Sequence, residues 1–378
     1  MKKQNIIAKI LCRLGGDKYT LESTQNALED SLKDAQEHSL PFDIHKDKLI
    51  LVSDLHKGGK NRADDFRHCE VAYVTALNHY FKLGYRLCVM GDAEELWEEL
   101  PGRVFEKNSM AFAAEKQFHE AGCYIRLWGN HDEIWGDKGL VNTLLQPVYG
   151  EIPLTVEESI LLDVYDEDEK LGRILLVHGH QGTQFGGKNL AIPKWILHNI
   201  WRPIQVVTGF SCNTPATDWR LRLDRDKIIY QWASQQPGLV LIAGHTHAPV
   251  FASYSHRARL IKEISDAGKR LADLTETEHS AELARIENMS ADLGRLESKL
   301  SLEERQTFPP GENPWPCYFN TGCCAFEDGD ITGIELADGE IRLVRWPDDE
   351  NRPMRKVLES ESLANIFSAL APERAQAM

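Results

Sequence analysis

Five short apolar runs in this chain end in residues that bind cations. Leu49-Ile50-Leu51-Val52 leads into Ser53-Asp54-Leu55-His56, and Leu87-Cys88-Val89-Met90 into Gly91-Asp92-Ala93-Glu94-Glu95. Tyr124-Ile125-Arg126-Leu127 is followed by Gly129-Asn130-His131-Asp132-Glu133. Ile174-Leu175-Leu176-Val177 gives His178-Gly179-His180, and Leu239-Val240-Leu241-Ile242 gives Gly244-His245-Thr246-His247. Imidazole suits zinc, iron and nickel, whereas carboxylate and amide oxygens suit manganese. Asp54, His56, Asp92, Asn130, His178, His245 and His247 are too many donors for one ion with an open position, and enough for two. A carboxylate can bridge two ions roughly 3.5–4 Å apart, as in two-metal hydrolases. The Asp54-x-His56 and His245-x-His247 spacings put both members of each pair on one side of an extended strand end.

Runs of four apolar residues bounded by polar ones read as buried strands. Helical patterns near 69–83 and 107–121 alternate with the first of them, which predicts a layered α/β fold. In open α/β sheets ligands bind beyond the carboxyl ends of the strands. The seven donors are therefore expected to meet in one crevice.

Asp-x-His, Gly-Asp-x-x-Glu, Gly-Asn-His-Asp, His-Gly and Gly-His-x-His, in this order, resemble the five motifs of calcineurin-like metallophosphoesterases. The resemblance spans roughly residues 46–254 and takes in the closing strands after 316. It implies a sandwich of two β-sheets flanked by helices. It also implies that Asp54, His56 and His247 hold one ion, that Asn130, His178 and His245 hold the other, and that Asp92 bridges them. His178 rather than His180 is the ligand by this resemblance, because the family ligand directly precedes the Gly. His131 would face the substrate, oriented by Glu95. The implied reaction is hydrolysis of a phosphomonoester or phosphodiester by in-line attack of a metal-bridging hydroxide. Manganese is the first expectation, with iron, zinc or nickel compatible with the same donors. Lys57, Lys60 and Arg62 follow the first motif and offer either a phosphate grip or a solvated loop.

The rest of the chain divides around this core. Residues 1–45 read as a polar, mostly helical extension, and Met1–Leu14 as a short helix with a basic face. Residues 183–235 read as a helical cap, with Trp195, Ile196, Ile200 and Trp201 as its apolar stripe. Between 255 and 308, Leu260, Ile264, Ala267, Leu271 and Leu274, then Leu283, Ile286, Leu293, Leu296 and Leu300, recur at helical spacing and predict an antiparallel hairpin with a turn at 275–280. Closing strands are expected near 317–321, 331–336 and 341–346 within 309–346. A polar tail, 347–378, follows, with one helix near 355–370. The cap, and the Gly-Asp-x-x-Glu motif followed by Trp97, are similar to the UDP-2,3-diacylglucosamine hydrolases of lipid A synthesis. The sequence departs from them in His131, where that family commonly has Arg, and in its hairpin and N-terminal extension.

Composition narrows the functions. The 378 residues carry 43 Lys plus Arg against 58 Asp plus Glu, a net charge of −15, which argues against broad nucleic-acid binding. No apolar run approaches the roughly 18 residues of a membrane span. Eight Cys without paired CxxC spacing predict no disulfide framework and a reducing, cytoplasmic setting. A membrane-surface pyrophosphatase acting on a nucleotide-sugar lipid is the alternative reading. A scaffold presenting the 255–308 hairpin to a second copy or another protein is the third.

Overall fold

The structure is a computed structural model that describes residues 20–62, 64–182, 219–271, 275–298, 314–347, 350 and 352–371. In chain order the elements are α1 (Leu21–Gln36), β1 (Leu40–Asp43), β2 (Leu49–Val52), α2 (Phe66–Lys82), β3 (Arg86–Met90), α3 (Pro101–Lys107), α4 (Ser109–Glu120) and β4 (Tyr124–Leu127). Short helical turns between 133 and 149 lead to β5 (Ser159–Asp166), β6 (Glu169–Val177), α5 (Trp219–Ala233), β7 (Leu239–Ala243), β8 (Val250–Phe251) and β9 (Tyr254–Ser255). Then come α6 (His256–Arg270), α7 (Glu276–Ser298), β10 (Tyr318–Asn320), β11 (Ile331–Ala337), β12 (Glu340–Trp346), β13 (Lys356–Ser362) and α8 (Leu363–Ala369).

Two mixed sheets flanked by helices carry the molecule. One has the order β1-β5-β6-β7-β10-β8-β9 and the other β13-β12-β11-β2-β3-β4. Successive strand residues point to opposite faces, and the core follows that period. Leu49 and Leu51 of β2, with Cys88 and Met90 of β3, join a buried cluster with Leu175, Leu241 and Phe319 of the other sheet. Ile50, Val52, Leu87 and Val89 face the opposite way and pack with Phe66, Tyr73 and Leu77 of α2 and with Phe118 of α4. Leu28 and Leu32 of α1, Ile229 and Trp232 of α5, and Ile366 and Phe367 of α8 pack into the first cluster.

β2, β3 and β4 run parallel, as do β6 and β7. Within each parallel set the carboxyl ends point one way, which is what gathers the strand-end motifs.

Several elements differ from expectation. β5 is a long strand outside the five apolar runs, pairing antiparallel with β6; its Asp163 and the turn after Asp166 mask the pattern. The helix expected near 355–370 is confined to α8. Residues 356–362 instead form β13, an edge strand in which Glu359 is buried while Val357 and Ser360 are exposed. The helix expected near 107–121 is α4; a separate short helix, α3, precedes it, and the two meet at Asn108, whose amide donates to Gly58 O at 2.8 Å and Val104 O at 2.9 Å. The hairpin is antiparallel, as Arg270–Glu282, Arg285–Glu263 and Arg257–Glu297 pairs show. Residues 276–280, expected in the turn, already belong to α7, because Thr275 bonds Glu278 through both N and Oγ1 and starts that helix. The basic helix at 1–14 and the apolar stripe at 195–201 lie outside the described residues; of the cap, α5 is described. No described helix is long and apolar enough to cross a membrane. The six described cysteines are free.

Candidate metal centre

Loops at the carboxyl ends of β2, β3, β4, β6 and β7 bring the seven donors together. Asp54, His56 and His247 each offer a ligand atom within 4.8 Å of the other two, and so do Asp92, His178 and His245. A third triad, His56, Asp92 and His131, overlaps both. Asn130 adjoins the second, with its Oδ1 at 3.2 Å from His178 Nε2.

The ring tautomers are set from behind. His178 Nδ1 lies 3.0 Å from the Met90 carbonyl, an acceptor only, so Nδ1 carries a proton and Nε2 faces the centre. That Nε2 meets Asp92 Oδ2 at 3.1 Å. His56 Nδ1 lies 3.1 Å from Glu95 Oε2, and its Nε2 faces His247 Nε2 at 3.1 Å. His247 Nε2 is also 3.2 Å from Asp54 Oδ1. Yet Asp54 Oδ1 and His245 Nε2 are buried with no hydrogen-bond partner. Lone-pair atoms this close, unpaired and out of water, are costly unless a cation sits among them. The donor set therefore fits divalent cations. Asp92, a member of the second triad, also reaches toward the first: Oδ1 accepts from His131 N at 2.8 Å, while Oδ2 faces His178 and, at 3.8 Å, His56.

Backbone strain marks the same residues. Asp54, His56, Asp92, His245 and His247 have φ of 53°, 48°, 50°, 68° and 56°. Non-glycine residues rarely adopt this region, and clustering of it is typical of functional loops. Two glycines permit the close approach. A Cβ on Gly129 would lie 2.2 Å from Asp92 Oδ1, and one on Gly244 2.2 Å from Ser53 Oγ.

Charge is arranged to match. Burial works to raise the Asp54 and Asp92 carboxyls, but the neighbouring imidazoles hold both below the usual range, so both are ionised. Burial depresses His245 and His247, which keeps them neutral as ligands must be. His131 is different. Burial opposes its charge, but Glu95 and Asp92 push it up to about 10. Its Nδ1 bonds Glu95 Oε2 at 2.7 Å, so the one carboxylate holds both His131 and His56. Trp97 stacks on the His131 ring at 3.9 Å between centroids.

His180 belongs to none of the triads. It is fully buried, both ring nitrogens lack a partner, and its ring rests against Trp128 and His178 at 5.0 and 5.4 Å. Among the three basic residues after His56, Lys57 turns away from the centre. Its ammonium is fully buried, 2.7 Å from Glu115 Oε1, 3.2 Å from Glu94 Oε1 and over the Phe112 ring. Lys60 pairs with Glu70, and Arg62 is exposed.

Lys57 opens a network that sequence reasoning missed. Arg126, also buried, pairs with Glu94 and reaches Asp132 Oδ2 at 3.3 Å. Asp132 accepts from Gly129 N at 2.6 Å, Asp92 N at 3.2 Å and Ala93 N at 2.9 Å, clamping two donor loops together. Glu115 takes Lys57, Tyr73, Tyr124 and Tyr149. Two signals were present. Arg126 interrupts an apolar strand, and Glu115 shares the helical face of Ala111, Phe112 and Phe118.

No known family and no curated protein matches the chain. Among solved structures, a mutant of a cold-active protein tyrosine phosphatase is similar at 10% identity, covering 85% of this chain and 82% of that one, with a TM-score of 0.30. A superposition this loose carries nothing about the site.

Proposed function

We propose that the chain is a metal-dependent phosphoesterase of the calcineurin-like kind, with a centre for two divalent cations, manganese first among them. The observation that supports this is the convergence of His nitrogens and Asp oxygens in two triads, with Asp54 Oδ1 and His245 Nε2 buried without a hydrogen-bond partner. Asp54, His56 and His247 would hold one cation, Asn130, His178 and His245 the other, and Asp92 both. Two such cations bring the pKa of water near neutrality and neutralise phosphate oxygens. The chain supplies the rest. His131, held by Glu95 through Nδ1, keeps Nε2 for the ester oxygen that departs and can give it a proton or hydrogen bond, worth typically ~10²–10⁴ in rate. Glu95 fixes His56 with the same oxygen, so ligand and proton donor keep one geometry. Trp97 limits rotation of the His131 ring by stacking on it.

Purified protein with manganese should hydrolyse p-nitrophenyl phosphate or its bis ester, and Asp92→Asn should abolish the activity. A wild type that stays inert with manganese, iron, nickel and zinc would end this reading. The lipid-surface alternative rests on residues 1–14 and 195–207, outside the described residues, and no described feature favours it.

A further inference from the structure

Helix α5 carries two adjacent charged residues, Arg225 and Asp226, both buried at 0% and 4% exposure. Neighbours on a helix point about 100° apart, and these two reach different loops. Arg225 donates from Nε and Nη2 to Gly179 O at 2.8 and 2.6 Å, from Nη2 to Gln181 O at 2.5 Å, and from Nη1 to Thr24 Oγ1 at 2.8 Å. Gly179 directly follows His178. Asp226 Oδ1 accepts from Tyr318 OH at 2.7 Å and from Thr246 Oγ1 at 3.3 Å. Thr246 stands between His245 and His247.

Asn320 joins the same cluster, since its Nδ2 also lies 3.2 Å from Tyr318 OH. Asn320 Nδ2 donates to Gly244 O at 2.7 Å and contacts Thr246 Oγ1 at 3.2 Å. Gly244 N donates to His178 O at 2.8 Å, joining the two loops to each other. His245 and His247 hold left-handed backbone that surrounding bonds must enforce. Through these bonds Arg225 and Asp226 hold the backbone beside His178 and the hydroxyl between His245 and His247, from behind the imidazoles.

We propose that Arg225 and Asp226 are positioning residues for the cation centre, Arg225 setting the His178 loop and Asp226 the His245–His247 loop. The proposal rests on the reading of that centre as a cation site. It makes α5 the element that decides how tightly those imidazoles bind. Hydrogen-bond partners behind metal ligands typically contribute 10–100-fold in affinity.

Both bonds to Asp226 fall on one oxygen, which gives a sharp control. Asp226→Asn keeps that acceptor with an amide; Asp226→Ala removes it. The test titrates cobalt(II) into metal-free full-length protein, following the visible absorption of the bound ion and the heat of binding, with circular dichroism to confirm folding. Wild type should bind two ions. Asp226→Ala and Arg225→Met should bind at least one of them about 10–100-fold more weakly, and Asp226→Asn should stay near wild type. Wild-type affinity in folded Asp226→Ala and Arg225→Met would overturn the proposal while leaving the cation centre intact. Equal weakening in Asp226→Asn and Asp226→Ala would overturn the Asp226 part, since the shared acceptor would then not be what matters. A wild type that binds no cobalt would instead defeat the cation reading, and this proposal with it. Should Arg225→Met fail to fold, the Asp226 pair alone decides.

Discussion

Glu95 holds two imidazoles with one oxygen, and that doubling gives it more influence than a single orienting bond. Glu95→Gln replaces the charge with a neutral amide and leaves His131 and His56 without their shared carboxylate. Turnover of p-nitrophenyl phosphate should fall by about 10², at the low end for loss of a positioned acid. His131→Ala should cost a similar factor, and the double variant little more, because the two act as a unit. Steady-state kinetics on the three proteins checks this; multiplying losses would contradict it. Asp132 works by other means. Its two oxygens serve Gly129, Asp92 and Ala93 N–H groups and Arg126. In Asp132→Asn one oxygen becomes an N–H₂ facing a donor, which should cost about 1–3 kcal/mol in urea unfolding. The donor types and their strand-end positions were legible in the sequence. The clamp was not, because Asp132 becomes one only where the loops after β3 and β4 meet.

At the scale of elements, strands that are buried on both faces leave little room for alternatives. β2 and β3 were readable because every residue in them is apolar or nearly so, as parallel strands under helices require. β5 and β13 were not, since carboxylates at positions 163, 359 and 361 interrupt their apolar pattern; Glu359 is nonetheless buried, because Arg259 of α6 neutralises it there. Between β4 and α4 the physics reverses, and charge goes inside. Lys57 and Arg126 face Glu94 and Glu115, with all four side chains fully buried. Burial opposes the charge on Glu94, but Arg126 and Lys57 hold it down to about 2. Removing one partner from such a set strands the other charges. Lys57→Met should therefore lose about 3–5 kcal/mol of stability. The double variant Lys57→Met, Glu115→Gln should recover part of it, since fewer charges are left unpaired. Denaturant titration measures both, and a single variant as stable as wild type would show that the network carries no structural weight.

For the whole molecule the open question is what the α6–α7 hairpin contributes to the centre. The chain leaves the seven-stranded sheet at its edge strand β9 and comes back close by. Ser253 Oγ donates to Trp315 O at 2.6 Å, and Ser253 N to Tyr318 O at 2.7 Å. Departure and return thus lie within a few residues of one hydrogen bond, and a short linker can span them. The hairpin makes polar contacts with β13, the edge strand of the other sheet, among them Arg259–Glu359 at 2.7 Å and Lys356–Asp292 at 2.9 Å. Arg259 also lies over the Phe251 ring at 4.9 Å. The partly exposed Lys356–Asp292 pair contributes about 0–1 kcal/mol; Glu359 is buried, so losing Arg259 costs more; neither pair involves the five donor loops. Replacing residues 258–312 with a short Gly-Ser linker, together with Glu359→Gln to remove the charge that Arg259 would leave unpaired, should therefore leave the cobalt stoichiometry unchanged while lowering the melting temperature. Turnover of p-nitrophenyl phosphate should also persist. Light scattering on the same protein reads the hairpin's other candidate role, since a mass halved relative to wild type would locate self-association in it. Loss of cobalt binding in a folded protein would contradict the separation of hairpin and centre, and would make the sheet edges part of the site's support.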